Sequence, residues 1–272
     1  MPTFLFLEER RRAILERLKL DGRVAVKDLS ERMQVSAVTI RQDLRALEEA
    51  GLLERTYGGA VFRSGQLNLQ ELSFNARQLK HRPQKEAIAQ AAADLLQDGY
   101  SLALDSSSTA YALVPHLRRF DRITVVTNSL VIAESFLDSP GIRVLMPGGR
   151  LRHDSISLVG NPESLPKVNL NIGFFGARGM DEVAGASEID PDEVAVKQAL
   201  IARCMCSVFI VDGSKWGQVA AYTLMTPHDL THIITSADAP PDLVSRFRQA
   251  GVRVDVMPFA GNKAPVGTLS DP

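Results

Sequence analysis

The sequence predicts an α/β chain in two parts: a small amino-terminal winged helix-turn-helix domain over residues 1–62, then a larger α/β domain over 85–260. Three observations carry this. Residues 1–62 read as three helices and a hairpin, and from about residue 85 apolar strands alternate with helices across short polar turns. Between them, residues 63–84 are polar and interrupted by Pro83, as a connector is. Residues 261–272 read as a tail.

Composition bounds the function. The 272 residues hold 31 Lys and Arg against 32 Asp and Glu, with 45% hydrophobic and 23% charged positions. Such a chain can bury a core, and the balance excludes a wholly basic coat for nucleic acid, an acidic tail protein and a disordered chain. It leaves a local DNA-reading surface open. No run approaches the ~18 apolar residues of a membrane span, and the opening segment runs into Glu8–Arg12 without a signal-peptide layout, so a cytoplasmic protein without membrane contact is expected. Cys204 and Cys206 are too few for a disulfide framework or a zinc site and read as small buried residues near a helix end; no metal or cofactor is expected.

In the first domain, Ile14, Leu15 and Leu18 recur at helical spacing, Gly22 stops that helix, and Val24-Ala25-Val26 reads as a short strand. A second helix over 28–33 ends in the turn Gln34-Val35. Ser36 then reads as the N-cap of a third helix running to Ala50, with Gly51 as its stop. This is helix-turn-helix spacing. At about 100° per residue, Ile40, Leu44 and Leu47 form a buried stripe, while Val38, Gln42 and Arg45 occupy the opposite arc, flanked by Thr39 and Arg41. Those side chains suit base edges: Arg can grip guanine, Gln adenine, and Val a thymine methyl, while Ser36 and free amides can hold phosphate. Residues 52–62 read as a wing around Gly58-Gly59, where positive φ makes a tight hairpin and Arg55 and Tyr57 can reach phosphates. The competing reading of Arg41 and Arg45 is a solvated face offset by Asp43 and Glu48.

The run from Val35 to Glu48, with Gly51 to Ala60, closely resembles the signature of the DeoR family of regulators. The resemblance implies an amino-terminal winged helix and a carboxy-terminal sensor, usually repressing sugar-utilisation operons. Gln42 stands where a second Arg is common, and Tyr57 where His is common, so the operator sequence does not carry over.

Read from the residues, the second domain delivers polar groups from several strand ends. Leu102–Leu104 opens into Asp105-Ser106-Ser107-Ser108-Thr109 before a helix from about Ala110, and Ile123–Val126 ends in Thr127-Asn128-Ser129. Ile142–Met146 ends in Pro147-Gly148-Gly149-Arg150-Leu151-Arg152, Asn171–Phe175 leads to Gly176-Ala177-Arg178, and Cys206–Val211 leads to Asp212-Gly213-Ser214-Lys215. In a largely parallel sheet, ligands gather beyond the carboxyl ends of the strands. With Arg152, Arg178 and Lys215 there, a small hydroxylated anion fits, such as a phosphorylated sugar. The helix-start hydroxyls read equally as ordinary N-caps. Glu193 and Lys197, four apart on a helix over 192–203, read as a surface ion pair, and Trp216 as a pocket wall or packing residue.

The resemblance extends here through Leu104–Thr109, Thr127–Ser129, Gly148–Arg152, Phe175–Ala177 and Ser214–Gly217. It implies a sensor similar in fold to ribose-5-phosphate isomerase and glucosamine-6-phosphate deaminase, and a phosphosugar site. Ser107-Ser108-Thr109 replaces the usual Gly-Thr-Thr.

The leading expectation is therefore a repressor of a carbohydrate-utilisation operon. It binds double-stranded operator DNA as a dimer or tetramer and is modulated by a phosphorylated sugar. Two alternatives stay open. One is a sugar-phosphate isomerase- or deaminase-like enzyme using Asp105, Asp181, Glu193 or Lys197 as acid or base; the other is a DNA binder whose sensor has lost its ligand. Residues 1–62 sum to only +1, with 11 basic against 10 acidic groups, so DNA binding is expected to rest on a small cationic edge doubled by oligomerisation.

Overall fold

The computed structural model describes residues 7–21, 23–49, 53–61 and 74–260. The expected stop at Gly51, residues 52 and 62–73 and the tail lie outside the described residues. The chain divides into two compact units, Met1–Leu79 and Lys80–Pro272.

The first unit contains α1 (Leu7–Asp21), β1 (Arg23–Ala25), α2 (Val26–Met33), α3 (Ala37–Glu49), β2 (Glu54–Thr56), β3 (Gly59–Val61) and α4 (Phe74–Leu79). Its core joins Ile14 and Leu18 of α1, Leu29 of α2, and the α3 stripe Ile40, Leu44 and Leu47 to Leu53 and Ala60. The three strands form one antiparallel sheet in the order β1-β3-β2, so the Val24 strand is part of the wing. Only Gly58 of the glycine pair needs positive φ, at 85°; Gly59 is small for a different reason. A Cβ there would collide with the Val24 carbonyl, across the β1–β3 pairing. Gly59→Ala is therefore expected to cost about 1–3 kcal/mol through forced overpacking. Thermal unfolding of the variant checks this, and an unchanged melting temperature would contradict the close approach.

The second unit begins earlier than residue 85. Helix α5 (Arg82–Ala93) starts inside the expected connector, with Pro83 in its first turn, where a missing N–H costs nothing and the fixed φ suits a helix. Helix α4 also falls within 63–84, so the segment expected to be connector holds regular structure from Phe74 onward. Seven strands follow in one sheet: β4 (Ser101–Leu104), β5 (Ile123–Thr127), β6 (Ile142–Leu145), β9 (Ile172–Phe175), β12 (Ser207–Val211), β14 (His232–Ser236) and β15 (Arg253–Met257). Their order is β15-β14-β12-β9-β4-β5-β6, and every neighbouring pair is parallel.

Alternating strand residues feed two cores. Leu102, Leu104, Val125, Phe174 and Ile210 face α5 together with α6 (Ser108–Ala112), α7 (Val114–Leu117) and α8 (Leu130–Glu134). Ala103, Val126, Phe175, Phe209 and Val211 face α9 (Pro191–Ile201) and α10 (Pro241–Gln249). A fully buried Leu, Val or Phe stabilises by about 1.5–3 kcal/mol, which is why the strands read as continuous apolar runs. Two smaller sheets flank the main one: the hairpin β7 (Arg150–Arg152) with β8 (Ser157–Val159), and the order β10-β11-β13 from β10 (Gly179–Asp181), β11 (Gly185–Glu188) and β13 (Tyr222–Met225).

From β4 the chain builds outward through β5 and β6, then returns to β9 on the other side of β4 and continues through β12, β14 and β15. The strand order thus reverses between β4 and β9, where a doubly wound sheet opens a crevice at the carboxyl ends of its strands.

Candidate functional site

Two surfaces collect the sequence-predicted residues, one in each unit. On the first, Ser36 caps α3: its Oγ accepts the Thr39 amide at 3.1 Å, and the two hydroxyls share a hydrogen bond of 2.8 Å. Ser36 and Thr39 therefore hold the helix start together. Val38 is 59% exposed, and Arg41, Gln42 and Arg45 are exposed on the same outward arc. Tyr57 is fully exposed beside Gly58 at the tip of the wing. Arg55 is tied back to α3, its amide donating to Glu48 Oε1 at 2.9 Å and its guanidinium 3.8 Å from Glu48 Oε2.

Asp43 does not offset Arg41 and Arg45. It is 1% exposed and points inward, where Arg10 Nε of α1 meets Oδ2 at 2.6 Å and Arg11 Nε meets Oδ1 at 3.3 Å. Spacing on α3 alone could not show this, because both partners come from another helix. Asp43 is withdrawn and Glu48 lies against Arg55, so the two acids expected to offset this arc are engaged elsewhere, and the exposed cationic side chains suit the phosphate-lined groove of DNA.

In the second unit the switch point is filled by a buried ionic network. Asp105, at the end of β4, is fully buried; its Oδ2 accepts the Gly176 amide at 2.8 Å and Lys197 Nζ at 2.9 Å, and its Oδ1 accepts the Ser107 amide at 3.0 Å. Lys197 Nζ also donates to the Gly176 carbonyl at 2.9 Å and to Glu188. Burial pulls the Lys197 pKa down, but the charges of Asp105, Glu188 and Glu193 outweigh it and hold the group above the usual lysine range. Lys197 is thus a fixed ammonium and a hydrogen-bond donor. Glu193 accepts Ser106 Oγ at 3.4 Å and lies 3.9 Å from Arg152 Nη1. That same Nη1 is 2.8 Å from Asp190 Oδ2, a charge contact without hydrogen-bond alignment. Arg178 Nε lies 3.8 Å from Glu188 Oε2.

The expected surface pair of Glu193 and Lys197 is therefore corrected. Both are buried, because α9 packs on the sheet and turns this edge toward the strand ends. Asp190, Pro191 and the acidic first turn at Asp192 and Glu193 are ordinary helix-start signals, which hid the partnership of Asp190 with Arg152. Glu188 had no signal in the sequence.

The remaining predicted residues mostly shape turns. Ser107 Oγ caps α6 by accepting the Ala110 amide, and its side chain fills the space a Cβ at Gly176 would need. Ser108 and Thr109 are buried in the first turn of α6. Thr127 Oγ1 accepts the Ser129 amide at 3.1 Å, and Ser129 Oγ accepts the Ile132 amide at the start of α8. Asn128 Nδ2 reaches the Leu158 carbonyl at 3.2 Å. Gly148 and Gly149 are exposed at the foot of the β7–β8 hairpin, and Lys215 lies in the turn at the end of β12. Asp181 accepts the amides of Val183 and Ala184 and closes the β10–β11 turn. Trp216 is a packing residue, bonded to Thr235 Oγ1 at 2.9 Å and edge-on to Phe247.

The cysteines differ from each other. Cys204 is half-buried, and burial pushes its thiol up to about 12, whereas Cys206 is exposed, against the expectation of two buried residues. Alkylation near pH 8 is expected to label Cys206 well before Cys204, since the thiolate is the reactive form. Peptide mass spectrometry reads this, and equal labelling would contradict it. Among the described residues no cluster of His, Cys, Asp and Glu could hold a metal, and no helix is long and apolar enough to cross a membrane.

Comparison with known proteins agrees with this division. The model of the DeoR-like helix-turn-helix domain matches residues 10–66, and that of the DeoR C terminal sensor domain matches residues 80–237. The HTH-type transcriptional regulator GolR of Listeria innocua is 32% identical over 254 residues, covering 93% of this chain and 99% of that protein. The glycerol-3-phosphate regulon repressor of Escherichia coli K12 is 30% identical over 235 residues, or 86% and 91%. Ribose 5-phosphate isomerase A from Methanocaldococcus jannaschii aligns at 18% identity and a TM-score of 0.36 over 48% of this chain and 53% of its own, a likeness that says nothing of site or chemistry. Helix-turn-helix, sensor and a full-length relative thus coincide in one chain, which belongs to the DeoR family of transcriptional regulators.

Proposed function

We propose that this chain is a repressor that reads operator DNA with the exposed arc of α3 and the wing tip, and binds a phosphorylated sugar in the crevice of its α/β unit. One observation carries the DNA half: Val38, Arg41, Gln42 and Arg45 face outward together while Asp43 is clamped inward by Arg10 and Arg11. In this reading Arg41, Gln42 and Val38 meet base edges, and Arg45 and Tyr57 meet phosphates. Because the cationic edge of one copy is small, operator binding requires two or more copies, and effector binding alters how a pair engages two half-sites.

The α/β unit acts as a sensor rather than an enzyme. Lys197 is held as an ammonium among three carboxylates and so is not poised to take a proton, and Asp105 has its oxygens engaged by two amides and that ammonium. The chain's relatives are named as regulators. The test is a thermal-shift screen of phosphorylated sugars on the full-length protein, with turnover assayed in parallel. Stabilisation without turnover supports the sensor. Turnover of a sugar phosphate contradicts it.

A further inference from the structure

The β7–β8 hairpin spans from the end of β5 to the start of α9. Its strand β8 pairs with the residues that follow β5: the Leu158 amide donates to the Asn128 carbonyl at 2.8 Å, and the Leu130 amide to the Ile156 carbonyl at 3.0 Å. Its strand β7 reaches α9, where Arg150 Nη2 meets Asp192 Oδ2 at 2.7 Å and Arg152 Nη1 meets Asp190 Oδ2 at 2.8 Å. The end of β4 lies under this span. Glu193 Oε1 accepts Ser106 Oγ from the turn after β4 at 3.4 Å and stands 3.9 Å from Arg152 Nη1, so hairpin and turn meet at one oxygen. Asp105, Ser106, Glu188, Glu193 and Lys197 are all buried there. The hairpin thus roofs the switch point.

Charge holds this roof more than apolar packing does. The buried residues Ser155 and Ser157 share a hydrogen bond of 2.7 Å, Ile156 and Leu158 are half-buried, Leu151 is exposed, and Val159, beside the foot, is the apolar residue that is fully buried. A segment with so few buried apolar contacts is of the kind that opens locally. At its base Gly149 and Gly160 lie against each other at φ 157° and 143°, with a Cβ on Gly160 falling 3.6 Å from Gly149 Cα. The hairpin can therefore turn on two residues without side chains.

The two ionic rungs are unequal. Arg150 and Asp192 are both exposed, and such a pair contributes little. Arg152 is only 12% exposed and Asp190 27%, which makes theirs the stronger rung, yet Arg152 Nη1 has no aligned hydrogen bond in it. It is a charge contact, and it parts without loss of a directional bond. Asp190 divides its carboxylate between two tasks: Oδ1 caps α9 by accepting the Glu193 amide at 3.0 Å, and Oδ2 faces Arg152.

We infer that β7–β8 is a lid over the crevice, that Asp190 is the positioning residue that holds it shut through Arg152, and that a small ligand enters when this rung parts. The lid follows from the hairpin's own contacts; its gating of a sugar phosphate rests on the reading proposed above.

Hydrogen exchange of the full chain, followed on peptides over residues 148–160, tests the lid without any ligand. Asp190→Asn keeps an oxygen for the Glu193 amide, so α9 stays capped, but removes the charge that faces Arg152. Hairpin amides are expected to exchange about tenfold faster in this variant, while those of β4 and β5 keep their wild-type rates. Arg152→Gln gives the same increase, and the double variant gives no more than either alone. Arg150→Gln, at the exposed rung, gives about two- to fivefold. Unchanged hairpin exchange in Asp190→Asn and Arg152→Gln, or equal acceleration in β4 and β5, overturns the lid.

Stopped-flow mixing of Arg150→Gln with a panel of pentose and hexose phosphates then reads the gate. Association is expected to quicken by the same two- to fivefold as hairpin exchange. Association at the wild-type rate beside faster hairpin exchange overturns the gating. Absence of binding by the wild type to every member of the panel removes the phosphosugar reading, while the exchange result still decides the lid.

Discussion

Lys197→Met is expected to destabilise the α/β unit by about 3–5 kcal/mol, the cost of removing one partner from a buried ion cluster. Met keeps much of the apolar stem but supplies no charge. Asp105 and Glu188, each almost fully enclosed, lose the ammonium that lies between them, and the Gly176 carbonyl loses its donor. Asp105 also ties the loop after β9 to the loop after β4 through the Gly176 amide, so the damage spreads along the switch point. The pH dependence identifies the cause. A buried carboxylate without a counter-cation favours its protonated form, so its folded-state pKa rises; the stability lost through such a group is recovered below its unfolded pKa and lost as pH increases. The deficit of Lys197→Met is therefore smaller near pH 5 than near pH 8. Denaturant unfolding at the two pH values measures this. A deficit below about 1 kcal/mol, or one independent of pH, would mean that Lys197 is not the counter-charge of this network.

Removal of Arg41 or Arg45 is the second large effect. Arg41→Ala, which removes a base-edge contact, is expected to weaken binding to the cognate operator by about 1–3 kcal/mol. Arg45→Ala, which removes a phosphate contact, weakens binding to all sequences alike and reduces the salt slope by about one. Neither side chain is in the core stripe of Ile40, Leu44 and Leu47, so the winged helix keeps its melting temperature. Asp43→Asn provides the contrast: it leaves the exposed arc intact but loosens the clamp from Arg10 and Arg11, so stability falls together with affinity. Fluorescence anisotropy at two salt concentrations separates the cases, and unchanged affinity in Arg41→Ala with Arg45→Ala combined would remove α3 as the reading helix.

Much of this was legible because it is local. The stripe on α3 is a matter of helical period, and Ser36 as its cap follows from one residue type before an apolar run. Strand ends rich in Ser, Thr, Asn and Gly announced the parallel sheet and the side on which its crevice opens. What failed was non-local. Glu193 and Lys197 have the spacing of a surface pair, and only contact with Asp105 and Glu188, supplied by distant strands, makes them a buried network. Asp43 looked like a neighbour of Arg41 and Arg45 until Arg10 and Arg11 of α1 took it inward. Pro83 breaks a helix interior but starts a helix equally well, so its type could not place the boundary.

The most direct test of the account is anisotropy of the full-length protein on the DNA upstream of its own gene, against a scrambled duplex of equal length, with and without the stabilising sugar phosphate. Tight, salt-sensitive, sequence-preferring binding is expected, which the sugar phosphate weakens and which Arg41→Ala weakens by about 1–3 kcal/mol. Equal binding to both duplexes, unaffected by Arg41→Ala, would contradict it.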